Sequence, residues 1–149
     1  MKEYRFVKAY MAGAVLPTLA MLGMITAVFV ARFVLRVPVA FERAVIFPIA
    51  VVPALFGFWN MLYIGVRGGC PGWKIGALGA LFPFVMAPIG GSFAHAMGFL
   101  EIARSGVRWL GQVEIPMAFL LSWFVFVVIA YYLIWKYVVG WLNRVVEIG

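Results

Sequence analysis

IPMAFLLSWFVFVVIAYYLIW, from Ile115 to Trp135, runs for 21 residues without a charged side chain. A bilayer core about 30 Å thick is crossed by roughly 20 apolar residues of helix at about 1.5 Å of rise each. The stretch is therefore long enough to span. Three more uncharged runs precede it: Ala9–Ala31, Ala44–Val66 and Ile75–Leu100. Short basic segments separate the four. The expected fold is all-α, a compact bundle of four transmembrane helices with short loops.

The chain has 149 residues, of which 66% are hydrophobic and 11% charged. Soluble domains average about 25% charged residues, so a water-soluble fold is excluded. The segments between and beyond the runs are too short for a further domain, so residues 1–149 are read as one membrane domain. Met1–Lys8 followed by Ala9–Ala31 resembles the start of a secretory signal. The run is longer than the roughly 7–15 residues of a signal core, and no small-residue cleavage site follows. It is read as an uncleaved first span.

The formal charge of +7 does not point to nucleic acid, because the basic residues lie mainly at span ends. There they serve as anchors toward anionic headgroups. Four spans put both termini on one face, together with the loop 67–74. That face carries Lys2, Arg5, Lys8, Arg67, Lys74, Lys136 and Arg144, and the opposite face Arg32, Arg36, Arg43, Arg104 and Arg108. The positive-inside rule then favours cytoplasmic termini in the cell membrane. Every lysine is on the terminal face; the other has arginine only, with Glu42, Glu101 and Glu114. Arginine makes bidentate pairs with carboxylates or phosphates that lysine cannot. Two readings follow: Arg–Glu pairs tying two loops together, or a face that binds an anionic headgroup. Arg32, Arg36, Glu42, Arg43 and Glu101 are the candidate residues there.

Small residues recur at four-residue spacing in Gly23, Ala27 and Ala31, in Gly90, Ala94 and Gly98, and in the shorter pair Ala50 and Ala54. Such tracks let membrane helices approach closely. They make span three central, packed on one and two, with the bulky span four peripheral and lipid-facing. Aromatic residues from Tyr131 to Trp141, with Trp59, Tyr63 and Trp73, belong to the interface of the terminal face. Phe47-Pro48 with Pro53 and Phe82-Pro83 with Pro88 repeat at an offset of 35 residues. Interior prolines free the carbonyl four residues earlier. An internal repeat that builds a midplane site and simple helix kinks are the two readings.

Asn60 and His95 are the strongly polar side chains well inside the spans, which makes them functional candidates. Counted from the span ends, they lie in different leaflets and do not form one site. Asn60 has the alternative of an interhelical hydrogen bond, and His95 that of a neutral imidazole on a carbonyl or hydroxyl. With a carboxylate partner, His95 would be suited to proton relay or general-base work. Cys70, between Gly69 and Pro71, belongs to a tight turn. Asp is absent, and His and Cys occur once each. No metal centre, cofactor or catalytic set is expected. The functional expectation is a non-enzymatic subunit or oligomeric scaffold, alone or in a larger membrane complex. The alternatives are a small oligomeric transporter or channel, and a lipid-binding or lipid-modifying protein acting at the arginine-rich face.

Overall fold

The computed structural model describes residues 4–36, 50–67 (Arg67 by its backbone alone), 74–103, 105–109, 111 and 113–148. The fold is all-α in class. Helix α1 covers Arg5–Val34, α2 Val52–Arg67, α3 Ile75–Ala96 and α4 Met117–Val145. Helices α1, α3 and α4 are long and apolar enough to cross a membrane. Helix α2 is apolar but shorter, with 16 residues or about 24 Å. The expected residues 44–49 of its span lie outside the described residues, as do Pro48 and Cys70.

The helix ends depart from the sequence expectation, and each departure has a local cause. Helix α3 stops at Ala96 rather than Leu100, because Gly98 takes a left-handed conformation with φ 72°. Gly98 N then donates to the His95 carbonyl at 3.0 Å and Phe99 N to the Ala94 carbonyl at 2.8 Å, closing the last turn. Gly98 is a helix terminator, not part of a packing track. Helix α4 begins at Met117, since Ile115 and Pro116 belong to a strand. It continues past Lys136 through a π-helical turn, Ile134–Val139, and reaches Val145. There Glu147 adopts φ 59°, and Ile148 N donates to the Asn143 carbonyl at 3.0 Å. Pro53 sits in the first turn of α2, where its missing N–H leaves no helical bond unmade. Pro83 and Pro88 do lie inside α3. Pro53 in a first turn and its counterpart Pro88 inside a helix thus differ in helical position, which speaks against a repeat.

Leu100–Pro116 was expected to contain the loop between spans three and four. It holds a three-stranded antiparallel sheet: β1 Leu100–Ile102, β2 Gly106–Trp109 and β3 Val113–Pro116, in that order. Ala103 N and the Gly106 carbonyl close the first turn at 3.0 Å, and Gly111 at φ 68° serves the second. Gly106 is required by close approach: a Cβ there would run into the Ile115 carbonyl.

The described residues form two units, one of residues 1–72 and 139–149, the other of 73–138. In the first, α1 packs on α2 at Gly13, where an added Cβ would lie 2.8 Å from the Asn60 Cβ and 3.1 Å from the Gly57 Cα. Gly57 in turn receives the Tyr10 ring. The buried side of α1 is Ala9, Ala12, Gly13 and Pro17. The Gly23 track is not the α1–α2 contact; an added Cβ at Gly23 meets nothing within 4 Å.

In the second unit, α3 packs antiparallel on α4. Gly76 receives the Tyr132 ring and Gly79 the Trp135 side chain. Phe82 stacks on Tyr131 with centroids 5.5 Å apart, and Phe84 meets Phe124 edge-on at 5.0 Å. Span four is therefore the packing partner of span three. Gly90, like Gly23, has open space where a Cβ would go.

Candidate functional site

Helix α2 carries Asn60 on the side that faces Gly13 of α1. Its side chain is fully buried, at 0% exposure, and Asn143 near the end of α4 is 1% exposed. Asn60 Nδ2 donates to the Ala9 carbonyl and to Asn143 Oδ1, both at 2.7 Å. Asn143 Nδ2 donates back to Asn60 Oδ1 at 3.0 Å. Both amide hydrogens of Asn60 and its oxygen are thereby engaged. Burying an unpaired amide costs on the order of 1–3 kcal/mol, so the two asparagines protect each other.

Asn143 was not among the sequence candidates. The signal was there: Tyr137, Val138, Val139, Trp141, Leu142 and Val145 continue the apolar pattern beyond Lys136. Trp135, Val139 and Asn143, spaced by four, are all buried. Lys8 Nζ also donates to the Val146 carbonyl at 3.2 Å, placing a cation at the carbonyl end of α4.

His95 lies in the last turn of α3 and is exposed. Its Nδ1 is 2.9 Å from the Leu100 carbonyl. A carbonyl only accepts, so this nitrogen carries the hydrogen. The nearby carboxylates find other partners. Glu101 reaches Arg108 at 3.8 Å, and Glu114 accepts from the Ser105 hydroxyl at 2.8 Å. Glu101, Arg108 and Glu114 are register partners across the three strands. The Glu101–Arg108 pair lies within one connection; the expected pairing with Glu42 and Arg43 of the other loop falls outside the described residues.

Arg32 sits in the π-helical turn that ends α1, with its guanidinium 5.8 Å from the Phe33 ring centroid. Arg36 has φ 54° and follows the end of that helix. Glu42 and Arg43 lie outside the described residues. Among the described residues no three His, Cys, Asp or Glu side chains converge on a metal-sized site.

A groove of about 510 Å³ opens between α3 and α4, lined by Pro83, Met86, Leu120, Phe124, Val127 and other apolar or aromatic residues. The stacked Phe82 and Tyr131 rings also belong to its wall. It offers shape to a hydrophobic chain and little polarity to orient a reaction.

No known protein family, curated protein or solved structure matches this chain.

Proposed function

We propose that the chain is a non-enzymatic structural subunit of a membrane assembly, or a scaffold made of several copies of itself. The observation that carries this reading is the closure of the Asn60 hydrogen bonds on Ala9 and Asn143. A side chain that lines a path or an active site keeps a donor or acceptor for its ligand. Asn60 is buried and engaged inside its own unit. Gly23 and Gly90 leave open space on helices with membrane-spanning composition, where a second copy would pack closely. The basic-residue count favours cytoplasmic termini, with the lysines toward anionic headgroups.

The test is a count of copies in lipid nanodiscs by native mass spectrometry, beside solute flux from sealed vesicles. More than one copy, fewer in Gly23→Leu or Gly90→Leu, and tight vesicles are expected. A single copy in every lipid removes the scaffold. A flux abolished by Asn60→Ala replaces it with a transporter.

A second reading, lipid handling, is favoured by the apolar groove between α3 and α4. Ala87 lines that groove and is exposed. Retention of a lipid by wild type and its loss in Ala87→Trp would support that reading; equal retention would remove it.

A further inference from the structure

The sheet between α3 and α4 has two unlike faces. Successive strand residues point to opposite sides, and directly paired residues share a side. The register therefore gathers Leu100, Trp109 and Val113 in one row and Ile102, Val107 and Ile115 in another, both on the same face. Glu101, Arg108 and Glu114 form the row between them, on the other face. A sheet with one apolar face normally buries it against another layer. Here Ile102 is 75% exposed and Val113 55% exposed, while Leu100, Val107, Trp109 and Ile115 are half-buried, so the chain covers that face only in part.

The position in the chain says what covers it. Strand β1 starts four residues after α3 ends, and α4 starts on the residue after β3. Helix α3 has 22 residues, or about 33 Å, against a hydrocarbon core near 30 Å. Its end therefore emerges at the lipid–water boundary, and the sheet is continuous with it. The hydrocarbon itself cannot take the sheet, since the outer edges of β1 and β3 would lack hydrogen-bond partners there. The headgroup layer supplies those partners, and it is where tryptophans such as Trp109 concentrate. The charge pattern agrees: a guanidinium between two carboxylates, each costly to bury, lies on one face only.

We propose that strands β1, β2 and β3 form an in-plane membrane anchor. The apolar face rests on the headgroup–acyl boundary of the bilayer that α3 and α4 cross, and the Glu101–Arg108–Glu114 row faces water. Amphipathic helices use the same division of faces when they lie on a membrane. Here a small sheet does so, and it fixes the depth of both helix ends.

The experiment places single spin labels at residues 101, 102, 113 and 114, in a Cys70→Ser background, in phosphatidylcholine vesicles. All four native side chains are exposed, so labels there leave the packing intact, and the helical circular dichroism of each variant checks this. Collision rates are then measured with oxygen, which concentrates in lipid, and with a water-soluble nickel chelate. Labels at 102 and 113 are expected to favour oxygen, and labels at 101 and 114 the nickel chelate, an inversion between adjacent residues. Nickel access at all four positions overturns the proposal in favour of a sheet standing in water. Shielding of 102 and 113 from both reagents overturns it in favour of a protein cover, a second copy or a partner. A label-free check is quenching by lipids brominated near the headgroup, part of which must disappear in Trp109→Phe. Unchanged quenching in that variant contradicts the proposal.

Discussion

The side-chain amides of Asn60 and Asn143 exchange hydrogen bonds of 2.7 and 3.0 Å across 83 residues of sequence. The pair brings the last turn of α4 against α2, and the Ala9 carbonyl adds α1. Removing one amide leaves the other buried with fewer partners. Asn143→Ala is expected to cost about 1–2 kcal/mol, seen as a lower unfolding midpoint in detergent. An unchanged midpoint would mean that the pair contributes nothing to stability.

Glycines at contacts and glycines in open space should respond in opposite directions. A Cβ at Gly79 would enter the Trp135 side chain, whereas one at Gly90 meets nothing within 4 Å. Overpacking costs about 1–3 kcal/mol, so Gly79→Ala should destabilise the α3–α4 pair. In a single copy held in detergent, Gly90→Ala should be neutral or stabilising by up to about 1 kcal/mol, as expected for glycine replaced within a helix. Thermal melts of the two variants side by side decide this; equal losses would contradict the packing described.

Glu147 holds a conformation that suits glycine. Its φ of 59° lets Ile148 N reach the Asn143 carbonyl, but a left-handed side-chain residue costs about 1–2 kcal/mol. Glu147→Gly should therefore raise the unfolding midpoint by the equivalent of about 1 kcal/mol. A lower midpoint would show that the carboxylate has a stabilising role of its own.

The charged row of the sheet should matter little to stability. Glu101 and Arg108 are exposed and 3.8 Å apart, a kind of pair worth about 0–1 kcal/mol. Glu101→Gln is expected to shift the melting midpoint by less than about 0.5 kcal/mol. Gly106→Ala, which sets a methyl group against the Ile115 carbonyl, should disrupt β2–β3 pairing instead. Backbone amide exchange at Val107 and Trp109 would report the difference.

Uncharged length made the spans legible, because hydrocarbon thickness fixes how many apolar residues a helix needs. Their ends were less so. Gly98 fits the small-residue spacing as well as it fits a helix terminator, and only its left-handed backbone separates the two roles. Lys136 looked like a span boundary, yet a single lysine at an aromatic-rich interface does not stop a helix, and α4 continues to Val145. The sheet was written in the triplets Leu100-Glu101-Ile102, Val107-Arg108-Trp109 and Val113-Glu114-Ile115. Each triplet is too short to show a period by itself, and register alone aligns the three charges. Asn60 could be found as a polar residue at depth. Asn143 could have been found as well, from the apolar pattern that continues beyond Lys136, but no spacing rule pairs positions 60 and 143.

Whether Asn60 holds the fold or serves a ligand is decided most directly by a double-mutant cycle on Asn60→Ala and Asn143→Ala, with unfolding measured in lipid bicelles. A structural pair predicts a coupling of about 1 kcal/mol, the double variant losing less than the two single losses combined. Losses that add to within about 0.3 kcal/mol would show that the two amides act independently, and would contradict the structural role assigned to Asn60.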